Sequence, residues 1–399
     1  MKTLPPLRLK KSEERRLRAG HLWVFSNEVD VKQTALDSFE PGELVSVQAF
    51  DGKVLGNGYV NPNTLIAARI VSRDPSYRLD QSLIPHRLKV ALSIRERIFP
   101  HPYYRWVHGE SDGLPGLVVD RFGDVLSVQI TTAGMERMTE EVVAALKKVS
   151  SAAVIVLKND TSARQLEGLE SKVDVVVGEL PELVPLVENG AKFEVPLLDG
   201  QKTGWYYDHR MNRLRLQNYV AGQRVLDLFS YVGGWGIEAA TAGAREVLCV
   251  DGSERFLERV HHNAALNGVT EKVATLQGDV FDALKELRGA REQFDVVIVD
   301  PPAFIKRKKD HKEGLLAYRR VNELAMRLLS RDGILVSASC SHHLQRVELK
   351  RLLLASSRHI DRNLMLLEEG HQGPDHPVHP AIPETEYIKC FTSRVLPAG

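Results

Sequence analysis

Residues 224–251 read RVLDLFSYVGGWGIEAATAGAREVLCVD, and their pattern decides the fold of the C-terminal half. RVLDLFS is a short apolar run of strand length. A glycine-rich turn follows it, then the helix-forming IEAATAG, then a second apolar strand, REVLCVD. Strand, turn, helix and strand in that order make a parallel βαβ unit. The alternation continues outward through the helix ERFLERVHHNAALNG, the strand KVATLQGD, the helix VFDALKEL and the strand FDVVIVD. It ends with PPAF, the helix AYRRVNELAMRLL and the strand GILVSAS. The pattern predicts an α/β, Rossmann-like, doubly wound parallel sheet over residues 196–399. Ligands of such sheets bind beyond the carboxyl ends of the strands.

Upstream the texture differs. Residues 1–75 read as short β segments cut by Gly, Asn and Pro, such as ELVSVQAF, DGKVLGNGYVNPNT and LIAARIVSR, and predict a small β-barrel. Trp23 and Phe25 in HLWVF are expected either to plug that barrel or, with the basic N-terminal stretch and with Arg69 and Arg73, to form a face for phosphate contact. Residues 76–195 read as α+β. A helix is expected over 81–99, a hairpin over 116–131, a helix over 139–149, and strands at AAVIVLKND, VDVVVGE and FEVPLL. No constellation of reactive residues stands out in this middle region.

Composition limits the rest. Lys and Arg total 53 against 52 Asp and Glu, so a polyanion must be held by local patches and not by bulk charge. Three cysteines in 399 residues do not make a disulfide framework. The basic start lacks the apolar centre of a signal peptide, and there is no apolar run of membrane-spanning length. A cytoplasmic protein with no membrane association is expected.

The strand ends hold the unusual residues. The first supplies Asp227, Phe229, Ser230, Tyr231 and Gly233. The second supplies Asp251, Gly252 and Ser253, and the third Asp279 and Val280. Glycines let the backbone approach a ligand, Asp251 can accept from ribose hydroxyls, and the third end can face an adenine edge. A dinucleotide would need G-x-G-x-x-G, whereas this loop reads G-G-x-G and carries Asp227 just before it. An acidic group there repels a pyrophosphate and suits a cationic or zwitterionic ligand such as S-adenosylmethionine. A nicotinamide-dependent oxidoreductase is the weaker alternative.

Asp300 opens DPPAF, where two prolines take the chain stiffly out of the sheet beside Phe304, a ring on which a base could stack. The run that follows carries Lys306, Arg307, Lys308, Lys309 and Lys312, and is read as a phosphate-binding loop; a merely solvated loop is the plainer alternative. Cys249 and Cys390 sit in apolar strand contexts and are expected to be inert. Cys340 follows GILVSAS at a strand end among small polar residues, where a thiol can be a nucleophile; a buried structural cysteine is the alternative. Thiolate addition to C6 of cytosine would make C5 enamine-like and methylatable, with an acidic group at N3 stabilising the adduct. Cys340 and Asp300 are the candidates for those roles. No metal site is expected.

GQKTGWYYDHRMNR (200–213), LDLFSYVGGWG, VDGSE, LNG, DPPAF, AYRRVN, ASCSHH and DHPV (375–378) together resemble the bacterial large-subunit ribosomal RNA cytosine-C5 methyltransferases. HLWVFSNEV resembles the start of that family's PUA domain. The resemblance covers nearly the whole chain and implies three parts: a PUA domain, a central α+β domain and a class I methyltransferase domain. It implies S-adenosylmethionine as donor, Cys340 as nucleophile and Asp300 against the base. It also places Thr203, Tyr207, Asp208 and Arg210 over the donor, and it implies large-subunit ribosomal RNA as partner and a homodimer. Some members carry Lys after Pro-Pro, where this chain has Ala303. Relatives of similar architecture methylate guanine N7 without covalent catalysis, and an RNA-binding assembly factor with a vestigial donor pocket would share much of the pattern; both readings stay open at this point.

Overall fold

The computed structural model describes residues 4–398. They form two compact units, each assembled from three stretches of chain. The first takes the chain up to Val184 with Pro196–Trp205 and Pro374–Thr385. The second takes Pro185–Val195, Tyr206–Gly373 and the chain from Glu386 onward.

The first unit begins with strands β1 (Pro6–Arg8), β2 (Trp23–Phe25), β3 (Glu43–Gln48), β4 (Val54–Val60) and β5 (Ile66–Ser72), in the order β1-β3-β4-β5-β2. A bridge between Leu9 and Val29 links the chain just beyond the two outer strands, so the sheet curls toward the expected barrel. Its interior is Leu7, Leu9, Val24, Val29, Val45, Val47, Val60 and Ile70. Trp23 and Phe25 do not plug it. Strand residues alternate between faces, so burying Val24 turns its two neighbours outward, half-buried. The Trp23 indole N–H donates to Glu110 Oε1 at 2.8 Å. Arg69 is also unavailable to phosphate: its guanidinium lies 2.8 Å from Glu167 and 3.6 Å from Glu110.

A second sheet, β6 (Tyr103–His108), β7 (Leu117–Phe122), β8 (Val125–Ile130), β9 (Val154–Asn159) and β10 (Lys172–Val177), runs in the order β10-β9-β8-β7-β6. Helices α1 (Leu83–Ile98) and α2 (Thr139–Ser150) share one apolar core with it around Trp106, Leu88, Leu126, Val128 and Ile155. The two returning stretches are stitched on by polar bonds. Thr203 donates its hydroxyl proton to Asp120, and Lys158 Nζ bonds the Leu198 carbonyl at 3.0 Å. Asp375 accepts from the Arg105 amide at 3.0 Å, and its carbonyl accepts from Arg95 at 2.8 Å.

The second unit opens inside the hairpin β11 (Val184–Glu188) and β12 (Ala191–Val195), from Pro185 on. It continues through α3 (Arg210–Leu216), β13 (Arg224–Leu228), α4 (Gly234–Thr241), β14 (Glu246–Asp251), α5 (Glu254–Leu266), β15 (Val273–Gln277), α6 (Val280–Gly289), β16 (Phe294–Val299), α7 (His311–Arg327), β17 (Leu329–Ser339), α8 (Arg346–His359), β18 (Arg362–Gly370) and β19 (Lys389–Pro397). The sheet order is β15-β14-β13-β16-β17-β19-β18. The first five strands pair in parallel, as the alternation predicts. The sheet is not parallel throughout: β19 enters antiparallel between β17 and β18. Between β13 and β16 the winding reverses, so the helices that leave these two neighbours diverge and a crevice opens beyond their carboxyl ends. The loop after Leu228 and Asp300 lie there. No helix among the described residues is long and apolar enough to cross a membrane.

Candidate active site

The loop that leaves β13 is strained. Phe229 and Tyr231 are non-glycine residues with φ of 63° and 51°, a left-handed conformation that side chains disfavour. Gly233, with φ 88°, then starts α4. Strain of this kind persists only where the surroundings over-determine it. Here Asp251 does so, accepting from the Tyr231 amide and the Ser253 amide at 2.9 Å each. Beneath the loop Asp227 is fully buried. One of its oxygens accepts from the Gly236 amide at 2.9 Å, and the other, Oδ1, has no hydrogen-bond partner. Burial, with a smaller contribution from Asp300 and Asp251, pushes its pKa up to about 8. Gly236 makes this approach feasible: a Cβ there would stand 2.5 Å from Cys249 Sγ and 3.1 Å from Asp227 Oδ2. Ser230 Oγ is likewise buried without a partner. Two buried polar atoms left unsatisfied at one strand end mark a place for a polar ligand.

Across the switch point Asp300 is held from two sides. The Trp235 indole N–H donates to its Oδ2 at 2.9 Å, and His209 Nε2 lies 3.4 Å from its Oδ1. The His209 ring packs against Trp235 with centroids 5.4 Å apart. Phe304 joins an aromatic group with Phe229, Phe281 and Tyr318, its centroid 4.9 Å from that of Tyr318. Tyr206 stands edge-on to Tyr231. Burial raises its phenol pKa, and Tyr231, Asp208, Asp300 and Cys340 add to the effect. The tyrosine therefore feels the carboxylate and the thiol together.

The turn that carries Cys340 is built from its neighbours. Ser339 donates to the Tyr318 hydroxyl at 2.8 Å, and Ser341 Oγ lies 2.8 Å from the same hydroxyl. The Ser341 amide closes onto Ser339 Oγ at 3.1 Å, and the Ile305 amide donates to Ser341 Oγ at 3.2 Å. Both serines are buried and bonded to one phenol of α7, whereas Cys340 between them keeps partial exposure. Cys249 and Cys390 are buried, as expected.

The other expected residues sort as follows. Asp279 uses its carboxylate to cap α6, accepting from the Phe281 amide at 2.9 Å, and Val280 is buried in the core of the unit. Gly252 is exposed beside Ser253. Tyr207, Asp208 and Arg210 are buried. Asp208 Oδ2 accepts from the Tyr387 hydroxyl at 2.9 Å, and Arg210 pairs with Glu188 at 3.1 Å over the Tyr207 ring. Thr203 belongs to the first unit. Lys306, Arg307, Lys308, Lys309 and Lys312 are all exposed. They are not one loop: Lys308–Asp310 is a 3-10 turn and α7 starts at His311, so Lys312 stands at a helix N-terminus. Arg307 is partly neutralised by Asp310, 3.0 Å away. The residues that sequence reading missed are Tyr206, His209, Trp235, Tyr318 and Lys389. Four of them stood inside stretches already in view: Trp235 in the G-G-W-G turn, Tyr206 and His209 in GQKTGWYYDHRMNR, and Tyr318 in AYRRVN.

Comparison with known proteins adds to this geometry. A family model described as S-adenosylmethionine-dependent methyltransferase matches residues 119–380, and one described as PUA-like domain matches residues 7–73. Ribosomal RNA large subunit methyltransferase I of Klebsiella pneumoniae strain 342 is 35% identical over 397 residues, 98% of either chain. The protein of the same name from Shigella boydii serotype 18 is 35% identical over 393 residues, 97% of this chain and 98% of that one. Among solved structures, SMU.776 in complex with SAH superposes with a TM-score of 0.84 at 22% identity, over 98% of this chain and 100% of that one. A Streptococcus mutans chain superposes with a TM-score of 0.82 at 21% identity over the same shares. At these identities the likeness is one of fold.

Proposed function

Since this chain belongs to the S-adenosylmethionine-dependent methyltransferases and carries a PUA-like domain at its start, we propose that it methylates C5 of a cytosine in large-subunit ribosomal RNA through a covalent adduct on Cys340. The ribosomal substrate follows from the relatives that match it over nearly their whole length. The single observation that carries the cytosine reading is the Cys340 turn, in which both flanking serines are fixed to Tyr318 and the cysteine alone is left partly exposed.

The residues fit the donor. The unpartnered oxygen of Asp227 suits a cationic amino group, the buried Ser230 hydroxyl a carboxylate, and Asp251 the ribose hydroxyls. Phe229, Tyr231, Gly233, Gly252, Ser253, Asp279 and Val280 line the same three strand ends. S-adenosylmethionine, when bound, supplies an electrophilic methyl group. On the acceptor side the Cys340 thiolate adds to C6 and makes C5 nucleophilic. Asp300, oriented by Trp235 and His209, faces N3 and stabilises the adduct. Once C5 carries the methyl group, its proton leaves to a base and the C6–S bond breaks, which returns the thiolate. Phe304 offers a stacking surface, and the basic run at 306–312 holds phosphates.

Cys340→Ala tests the reading. Turnover on large-subunit RNA is expected to fall by more than about a thousandfold, while titration calorimetry finds donor affinity within about twofold of the parent protein. RNA carrying 5-fluorocytosine should leave a covalent adduct visible by mass spectrometry, because fluorine cannot leave as the proton does. Undiminished turnover and no adduct would remove the covalent mechanism and favour guanine N7.

A further inference from the structure

The C-terminal strand brings one more residue to the cysteine turn. In the antiparallel register of β17 and β19, Lys389 lies opposite Ser339. It is only 5% exposed, an unusual place for an ammonium group. Its Nζ donates at 2.6 Å to the carbonyl of Ser341, the residue that follows Cys340. No carboxylate among the described residues forms an ion pair with it. Glu386, three residues earlier in the chain, is engaged by Arg346 at 3.2 Å.

We infer that Lys389 is a positioning residue that serves as the counter-charge of Cys340, so that the pair holds one proton between them and the form with thiolate and ammonium is the one that reacts. Passing the thiol proton to the amine creates that form with no other reactant. The inference rests on reading Cys340 as the nucleophile and deepens it. Burial lowers the Lys389 pKa to about 8, Cys340 and Glu386 oppose that shift, and Arg346 adds to it. The groups around the pair are Tyr206 and Tyr318, both pushed upward and therefore protonated at neutral pH, together with Arg346, Glu386, Asp300 through Tyr206, and the adjacent His342 and His343. None of them supplies a second buried cation bonded to the carbonyl of Ser341.

The test is the pH dependence of Cys340 alkylation by iodoacetamide in the full-length protein, followed by mass spectrometry of the peptide. The midpoint is expected below the value of about 8.5 for an ordinary cysteine. Lys389→Gln keeps a donor for the Ser341 carbonyl but no charge; it should raise the midpoint by at least about one unit and slow alkylation at pH 7 about tenfold. Lys389→Arg, which restores the charge, should recover most of the loss. A parent midpoint at or above about 8.5 overturns the inference without any variant, and so does an unchanged midpoint in a Lys389→Gln protein that melts cooperatively. Alkylation reads ionisation whatever the reaction catalysed. A low midpoint beside an active Cys340→Ala protein would fault the nucleophile and leave the pair standing, whereas an ordinary midpoint beside an inactive one would do the reverse.

Discussion

The loop after β13 and the turn after β17 leave one sheet at the same edge, yet they are finished in opposite ways. In the first, two side-chain-bearing residues sit in left-handed backbone, and Asp227 Oδ1 and Ser230 Oγ are buried with nothing to bond. In the second, each serine hydroxyl is bonded, both to one phenol, and the backbone amide between them is satisfied. The difference separates two tasks. A cradle for an exchangeable ligand must keep unmet polar atoms, which the ligand completes. A carrier for a nucleophile gains from complete internal bonding, because a misplacement of 1 Å can cost about a hundredfold in rate.

The largest expected effect is the loss of turnover in Cys340→Ala, since the proposed mechanism runs through that sulfur. Next is Asp227→Asn on the cradle side. It should weaken donor binding by roughly 10–100-fold, the worth of a hydrogen bond to a charged group, as read by calorimetry. The same variant should be more stable than the parent without ligand. In the folded parent Asp227 keeps its proton up to about pH 8, whereas in the unfolded chain the group ionises near pH 4. The folded state therefore binds the extra proton between these values, and parent stability falls as pH rises through that window. The advantage of Asp227→Asn in thermal melts should grow from pH 5 to pH 8 and level off above; a constant difference would mean that Asp227 is ionised throughout.

A matched pair of smaller changes sharpens the contrast. Ser341→Ala removes a hydroxyl with two partners and should destabilise by about 1–3 kcal/mol. Ser230→Ala removes one that has none, and should leave the ligand-free protein unchanged or slightly more stable while donor affinity drops. Equal losses in the two melts would dissolve the distinction between cradle and carrier. The smallest effect belongs to the exposed charges. Removing Lys308, Lys309 and Lys312 together should lower RNA affinity and reduce its salt slope by roughly one per lysine, measured by filter binding at several ionic strengths.

How much of this was legible in the sequence follows from distance along the chain. The βαβ alternation, the glycine-rich turn after Leu228 and the place of Asp251 at the next strand end are encoded within about one repeat, so period and turn chemistry reveal them; the left-handed backbone at Phe229 and Tyr231 and the bond of Asp251 to that loop were not read. Asp300 and Cys340 were legible because each lies at the end of an apolar strand. Lys389 was not, because its place beside the cysteine turn depends on an antiparallel strand that brings it to Ser341, 48 residues earlier. Trp235 and His209 were hidden for the same reason, since what they hold is Asp300, 65 residues after Trp235. Trp23 and Phe25 misled because size suggested burial, whereas the alternation around Val24 decided it. The exchange of Pro196–Trp205 and Pro374–Thr385 into the first unit leaves no local pattern at all.

The position of β19 also bears on how the protein is made. It is an inner strand, hydrogen-bonded to β17 on one side and β18 on the other, although its residues follow both in the chain. During synthesis β17 and β18 therefore leave the exit tunnel before the strand that joins them, and each shows an unpaired backbone edge until residues 389–397 follow. The sheet is complete only once that strand has inserted, and a nascent chain stalled shortly before it would leave the facing edges of β17 and β18 open to its neighbours.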